Sequence, residues 1–422
     1  MSENSTHKMT EIGNLPSDWD VLSLSEIGRF TKGSGITRDQ SHSGDIPCVR
    51  YGELYTTHDN YIRSFNSYIS PEVARTATRL SKGDILFAGS GETKEDIGKA
   101  VAFVGNEEAY AGGDIIILSP KIEASSMYLG FVLNDEESVR QKSSMGQGDA
   151  VVHIHAKELA NVIIPFPHPS EQRKIAETLS GIDTLISDLD KVIAKKKLMM
   201  TGSMQLLLSG KKRLKGFSRP WVELELGELG KLSGAGVDKT VNADERPVRL
   251  LNFLDVYNRD RIYNHELKMW VTASDYKITR CDVKQGDIFL TPSSELPNDI
   301  GRSAVAMSDM EGVCYSYHVL RLRPSIDLDM TFSAYMLKTA EYEEQIRFLS
   351  EGSGKRYVIS LRNFREIRIS IPDDIREQNA IGNVIAAMDN EIRDLEAERD
   401  KYKNIKQGMM QKLLTGQIRL PV

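Results

Sequence analysis

The chain is short of cysteine, of long hydrophobic runs and of positive charge, and each shortage excludes something. Cys48, Cys281 and Cys314 are the three cysteines among 422 residues, and they are scattered without metal-ligand spacing. They make neither a zinc site nor a disulfide framework and are expected as buried thiols. The longest apolar stretches, such as DIIILS and NVIIPF, fall far short of the roughly 20 residues a membrane-spanning helix needs. The opening residues MSENSTHKMTEIG are polar and hold no signal-peptide core, so a cytoplasmic protein is expected. Basic excess is missing as well: 54 Lys and Arg stand against 60 Asp and Glu, a net charge of -6, where a phosphate-binding chain ordinarily carries a surplus of bases.

Catalytic motifs are absent too. GSGETKEDIGKA, Gly89 to Ala100, looks like a phosphate loop, but six residues separate Gly91 from Gly98 where that loop has four, and the backbone cradle does not form. Gly33 to Gly35 is a lone glycine pair and reads as a turn. His153 and His155 share one face of a strand without a third ligand nearby in sequence, which favours a structural or contact role over a metal. No acid–lysine arrangement of a nuclease and no Asn/Asp-Pro-Pro-Tyr-like segment for base methylation is present. The chain is read as non-catalytic, with no cofactor and no metal of its own.

What is present is order. Charge is sorted along the chain: five bases stand against one acid from Lys355 to Arg368, and four against two both from Arg29 to Arg50 and from Arg246 to Arg261. Between Asp373 and Lys406 the balance reverses, nine acids to six bases. More telling is a repeat. Glu171 to Leu214 aligns without a gap on Glu377 to Leu420, at an offset of 206, with 17 of 44 positions identical, among them Asp183 with Asp389, Gly202 with Gly408 and Arg213 with Arg419.

Both copies read as long helices. Ile175, Leu179, Ile182, Ile186, Leu189 and Ile193 recur at steps of four and three, a heptad seam, and Ile381, Ile385, Met388, Ile392 and Leu395 follow in the same phase. Each copy begins after a proline-bearing stretch with a capping Ser170 or Asp373/Asp374 and is expected to end near Gly210 or Gly416. About 38 helical residues make a rod of roughly 57 Å. The segments before the helices repeat more weakly. Trp19 falls on Trp221, Glu26 on Glu228, Gly28 on Gly230, Asp84 on Asp287 and Gly98 on Gly301. In each half β-rich runs precede a helix, expected over Met127 to Lys142 and Met330 to Leu349. The fold class is therefore α+β, a tandem duplication with a pseudo-twofold. Globular domains with mixed β-sheet and helices span 1–168 and 215–372, and long helices 169–214 and 373–422 pair as an antiparallel coiled coil.

In this layout the sequence resembles the specificity subunits of Type I restriction-modification systems. The resemblance covers nearly the whole chain and is most specific at IPFPHPSEQRKIAETLSGIDTLI, its echo ISIPDDIREQNAIGNVIAAMDNEI, and the endings LLLSG and LLTGQIRL. It implies two target-recognition domains, each reading one half of a bipartite asymmetric site in double-stranded DNA. The paired helices would space the domains and dock methyltransferase subunits. It further implies assembly with two modification subunits that use S-adenosylmethionine and two restriction subunits that use ATP and Mg. The physics agrees, because two divergent readers at a fixed separation give an interrupted, non-palindromic target. A coiled-coil scaffold that organises proteins without reading DNA is the alternative.

Base reading uses Arg, Lys, Gln, Asn and Ser on loops, with phosphate contacts to position the module. The glycine-bounded loops before the last strand of each domain come first: Ser144, Gln147 and His153 in SSMGQGDAVVHIH, and Ser353, Lys355, Arg356 and Tyr357 in EGSGKRYVIS. Lys32, Arg38, Arg50 and Tyr51 in the first half, and Lys239, Arg249, Asn252 and Arg302 in the second, complete the DNA-contact set.

Overall fold

The duplicated segments are two uninterrupted helices, Pro169–Leu207 and Ile375–Leu414. Proline is accepted at the first helical position because its missing N–H would have no partner there. Each helix stops the same way: Gly210 and Gly416 take positive φ (69° and 68°). The chain then folds back, so that Lys212 N–H donates to Leu206 O at 2.9 Å and Ile418 N–H to Lys412 O at 3.1 Å. This left-handed turn closes the last carbonyls and favours glycine. The heptad residues are buried or half-buried along the seam.

The computed structural model describes residues 7–148, 151–296, 299–353 and 356–421. Lys355 lies outside these. The chain condenses into two units, Met1–Leu189 with Glu398–Val422, and Asp190–Ala397. Among the described residues no helix is long and apolar enough to cross a membrane. All three cysteines are free and buried, and burial pushes the Cys48 and Cys314 thiols up to about 12.

In the first unit two sheets stack around the core. One runs Ala100–Ala102, Ile85–Ala88, Ile115–Pro120, Gly28–Lys32, all antiparallel. The other runs Ser67–Ile69, Ile46–Val49, Tyr110–Ala111, Thr78–Arg79, with one parallel pairing between Ile46–Val49 and Tyr110–Ala111. The second unit repeats the plan. A five-stranded sheet, Gly230–Ser233, Leu320–Pro324, Ile288–Leu290, Ser303–Ala306, Arg261–Ile262, stands in for the first, and Trp270–Ala273, Arg246–Leu251, Met310–Tyr315, Asp282–Val283 for the second. The Gly-Asp pairs of the duplication open strands in both. Buried Asp84 accepts from Ser81 N–H (2.7 Å) and Ser119 Oγ (2.6 Å), and buried Asp287 accepts from Lys284 N–H (2.8 Å) and the Arg323 guanidinium (2.7 Å).

The single helix expected in each globular half is broken in two. The observed segments are Ser126–Val132 with Glu136–Met145, and Met330–Ser333 with Ala340–Leu349. Asp135 and Thr339 cap the second segments, accepting from Ser138 N–H (2.8 Å) and Tyr342 N–H (3.1 Å), and side chains that bond the backbone locally compete with helix continuation.

Each unit draws on both long helices. In the first, Leu413 and Leu414 enter the core with Trp19, Ile175 and Leu179. In the second, Met204, Leu207 and Leu208 enter with Ile381 and Ile385. Ion pairs set the direction: Lys406–Asp183 at 2.5 Å and Arg419–Glu171 at 2.5 Å in the first unit, Lys196–Glu391 and Lys197–Glu396 at 2.6 Å in the second. The helix stretches within each unit are thus antiparallel.

The ends are held by one duplicated clasp. Arg419 grips Glu171 with two N–H groups (2.5 and 2.8 Å), reaches Asp18 with two more (2.9 and 2.8 Å) and lies 5.6 Å over the Trp19 ring. Trp19 Nε1 donates to the same Glu171 at 3.0 Å. Arg213 repeats this on Glu377 (2.5 and 2.6 Å), 5.6 Å over Trp221. Glu171 and Glu377 are 3% and 1% exposed, and a buried carboxylate stripped of its partner costs several kcal/mol. Arg419→Ala is therefore expected to destabilise the first unit by about 3 kcal/mol, although 248 residues separate it from Glu171. Denaturant melts with a probe near Trp19 check this, and Arg419→Lys should recover only part of the loss because it has no planar fork.

One buried charge interrupts the duplication. Lys142, 1% exposed, donates to Gly98 O (2.7 Å) and Leu133 O (2.6 Å). The matching position of the second unit is the apolar Ile346, whose side chain lies against Gly301 as that of Lys142 lies against Gly98. Burial pushes the Lys142 ammonium down to about 7. Between that value and the ordinary one the unfolded chain holds a proton the folded chain does not, so stability rises with pH across this window. Lys142→Met should flatten that slope and raise stability at neutral pH, measured as unfolding midpoints from pH 6.5 to 9.5.

Candidate nucleic-acid interface

The last-strand loops that carry the strongest sequence expectation sit in matching places. In the first unit Val152–His153 pairs antiparallel with Ser90–Gly91, and Ile154 N–H donates to Gly89 O at 3.0 Å. In the second, Arg356–Val358 pairs with Ser293–Ser294, and Ile359 N–H donates to Pro292 O at 2.9 Å. The backbone is common and the exposed side chains differ. Ser90 Oγ and His153 Nδ1 are 3.0 Å apart in one, and Arg356 Nη2 donates to Ser293 Oγ at 3.2 Å in the other.

Around this strand pair the first unit gathers most of its expected residues. Lys32 and His153 line one depression with Ser90 and Asp114. Arg38, Arg50 and Tyr51 line another, and Asp114 belongs to its wall as well. Arg38 and Tyr51 are exposed and Arg50 is half-buried, its N–H donating to Glu53 at 2.8 Å. Gln147 is exposed and exchanges backbone hydrogen bonds with His153 (2.9 and 2.8 Å). Ser144 stands apart, in the last turn of its helix, its Oγ donating to Gln141 O at 2.7 Å.

In the second unit the charges of Lys239 and Arg356 both act on His318. Burial and then these two charges push the His318 imidazole below its ordinary value. The exposed Tyr317 ring lies 3.9 Å from that imidazole. Tyr357 is half-buried against the core and Ser353 ends the neighbouring strand Glu351–Ser353. Asn252 begins the short helix Phe253–Tyr257, its N–H donating to Asp255 at 3.0 Å, the place Arg50 holds in the first unit. Arg249 donates to Asn264 O at 2.9 Å and lies over the exposed Trp270 ring at 5.8 Å. Arg302 lines a different cavity of about 320 Å³ with Arg259, Lys338 and Tyr257, its guanidinium 5.9 Å over the Tyr257 ring.

Sequence reasoning missed Ser90 and Ser293, Asp114, and the Tyr317–His318 pair. A register carried through the weaker part of the duplication would have found them, since GGD and SYH both lead into the strand that follows. Among the described residues no group of three or more His, Cys, Asp or Glu could hold a metal.

A shared scaffold thus presents different basic and hydrogen-bonding side chains twice. Residues 16–197 and 218–406 both match the family profile of the type I restriction modification DNA specificity domain. The chain belongs to this family. It is a DNA sequence-recognition subunit. It is 24% identical to the type I restriction enzyme MjaVIII specificity subunit of Methanocaldococcus jannaschii over 96% of this chain and 94% of that one. It is 26% identical to the putative MjaX specificity subunit of the same organism, over 98% and 96%. The type I S subunit of M. genitalium has the same fold, with a TM-score of 0.59 at 14% identity over 96% of this chain and 98% of that one. Two specificity domains in one chain account for the duplicated strand pairs, turns and clasps.

Because Lys239 and Arg356 are exposed and outside the core, a Lys239→Ala, Arg356→Ala double variant should fold and assemble normally. It is expected to weaken DNA binding, with the slope of log K against log salt reduced by about 1 for each phosphate no longer neutralised. Titrations at three salt concentrations measure it, and an unchanged affinity and slope would remove both residues from the interface.

Proposed function

We propose that each unit reads one half of a bipartite, asymmetric DNA target, and that the long helices set the gap between the halves and dock methyltransferase subunits. The observation that carries this is the repetition of one backbone arrangement with different side chains: His153 stands opposite Ser90 in one unit, and in the other Val358 stands opposite Ser293, which Arg356 reaches from two residues earlier. Identical readers would call for a palindrome; divergent ones call for two unlike half-sites. Lys32, Arg38, Arg50, Tyr51, Gln147 and His153 serve the first reader, Lys239, Asn252, Ser353, Lys355, Arg356 and Tyr357 the second, with Ser144, Arg249 and Arg302 as outlying contacts. The chain is a non-catalytic subunit, and methylation from S-adenosylmethionine and ATP- and Mg-dependent translocation and cleavage belong to two modification and two restriction subunits. A protein scaffold that does not read DNA is the outcome to be distinguished.

The test is a hybrid. Residues 1–168 are exchanged for those of a relative, together with 398–422 because Leu413 and Leu414 pack in the first core. Mapping methylated bases in cells with the partner subunits should show one half-site changed and the other kept. Changes in both halves would overturn independent reading, and a hybrid and parent without any defined motif would favour the scaffold. The spacing role has its own measurement. Seven helical residues added to both long helices, after Leu189 and after Ala397, lengthen each by about 10 Å, about three base pairs at 3.4 Å each. Both half-sites should persist with a longer gap.

A further inference from the structure

The strand Tyr110–Ala111 leads into Ile115–Pro120 through Gly112-Gly113-Asp114. The same turn recurs in the second unit as Ser316-Tyr317-His318. The register is set by matching backbone bonds: Gly112 N–H donates to Val49 O (2.9 Å) and Ser316 N–H to Leu251 O (2.8 Å). Asp114 and His318 therefore hold one position of the duplicated fold.

We propose that this turn is a base-reading position in each unit, and that the Asp114 carboxylate accepts a hydrogen bond from an exocyclic amino group, cytosine N4 foremost, on the major-groove edge of the DNA. The inference deepens the half-site reading above and rests on it.

Geometry gives three reasons. First, the turn is rigid. Gly89 N–H donates to Asp114 O at 3.0 Å and Gly33 N–H to Ile115 O at 2.8 Å. The loop from Gly33 passes so close that a Cβ there would stand 2.0 Å from Gly112 O. Asp114 itself has φ of 61°, a conformation that aspartate and asparagine accept at less cost than most residues. Second, the carboxylate is open. Its side chain is 64% exposed, and its ion pair with Lys32 spans 3.8 Å between two solvated groups, an interaction worth little. Third, its surroundings select its partner. Asp114 stands where the depression holding Lys32 and His153 meets the one holding Arg38 and Arg50. Those cations suit phosphates, whereas a carboxylate among them is repelled by phosphates and can gain only from a donor. The donors on the major-groove edge are the amino groups of cytosine and adenine, and Asp pairs with the former.

In the second unit the same position offers an imidazole against the Tyr317 ring at 3.9 Å, within the field of Lys239 and Arg356. Different chemistry at one fixed position is what two readers of unlike half-sites require.

Asp114→Asn tests this in the complete complex with modification and restriction subunits, parent and variant in parallel. Asparagine keeps the tolerance for positive φ and the side-chain shape, so the turn persists, while the charge goes and one acceptor becomes a donor. The methylated motif is read by sequencing, and affinities are measured on duplexes with each base at each position. The expected result is one altered base pair in one half-site. Preference for the original base there should fall about tenfold to a hundredfold, with any new preference toward adenine, the asparagine pairing. The other half-site stays intact, and His318→Asn does the converse. Equal strengthening of binding to every sequence with an unchanged motif would mean that Asp114 only tempers Lys32, and the proposal would fall. It would also fall if motif and affinity were both unmoved. A parent complex with no defined motif would instead sink the half-site reading itself, and this inference with it.

Discussion

Everything in this molecule hangs on where a buried carboxylate finds its cation. Glu171 and Glu377 stand at the starts of the long helices and are almost wholly buried, so each must be neutralised locally. The guanidinium that does so comes from just beyond the end of the other helix, Arg419 for Glu171 and Arg213 for Glu377. A bidentate fork on a carboxylate, stacked over a tryptophan, has strict geometry. It fixes the antiparallel direction and register of the helix stretches in each unit. The apolar residues that follow that geometry, Leu413 and Leu414 in the first unit and Leu207 and Leu208 in the second, complete the cores. Neither domain is closed by its own stretch of chain alone.

The two clasps are not equal. Trp19 gives its indole N–H to Glu171, whereas among the described residues Trp221 Nε1 finds no hydrogen-bond partner. Arg419 has Asp18 as a second carboxylate, and hydrogen bonding to Arg419 lowers the Asp18 carboxyl below its ordinary value. Arg213 turns instead to the carbonyl of Arg219 at 2.8 Å. A duplicated frame thus tolerates drift in its hydrogen bonds as long as the central ion pair survives. Asp183 and Asp389 repeat this further along the helices: Arg63 and Lys406 meet the first, Arg261 and Arg393 the second.

The same division governs the paired strands and turns. Backbone hydrogen bonds hold the strand pairs and turns in both units, and a main chain satisfied by itself leaves its side chains free to vary. Hence Ser90 faces a histidine and Ser293 a valine with the Arg356 guanidinium reaching over to it, and Asp114 and His318 share a position without sharing chemistry. A fixed frame with variable side chains is what base-specific recognition of DNA requires.

The repeat, the heptad seam, the start of the second helix behind Asp374 and the stops at Gly210 and Gly416 were legible in the sequence, because they rest on local rules: periodicity, capping and positive φ; Ser170, expected as the other cap, lies inside its helix, which begins at Pro169. The α+β duplication was legible for the same reason, whereas His153 and Arg356, expected on loops before the last strands, lie in short strands of their own. Other features were not. The helices expected over Met127 to Lys142 and Met330 to Leu349 break at Asp135 and Thr339, whose capping bonds depend on where the chain must turn. The partnership of Arg419 with Glu171 joins residues 248 positions apart, and no pattern of spacing announces an ion pair at that range. Asp114 looked like one more acid in a chain with an acidic balance, and His318 like an ordinary histidine. Only the tertiary structure sets each on the matching turn of its own unit, because proximity between strands is decided by sheet order and not by distance along the chain.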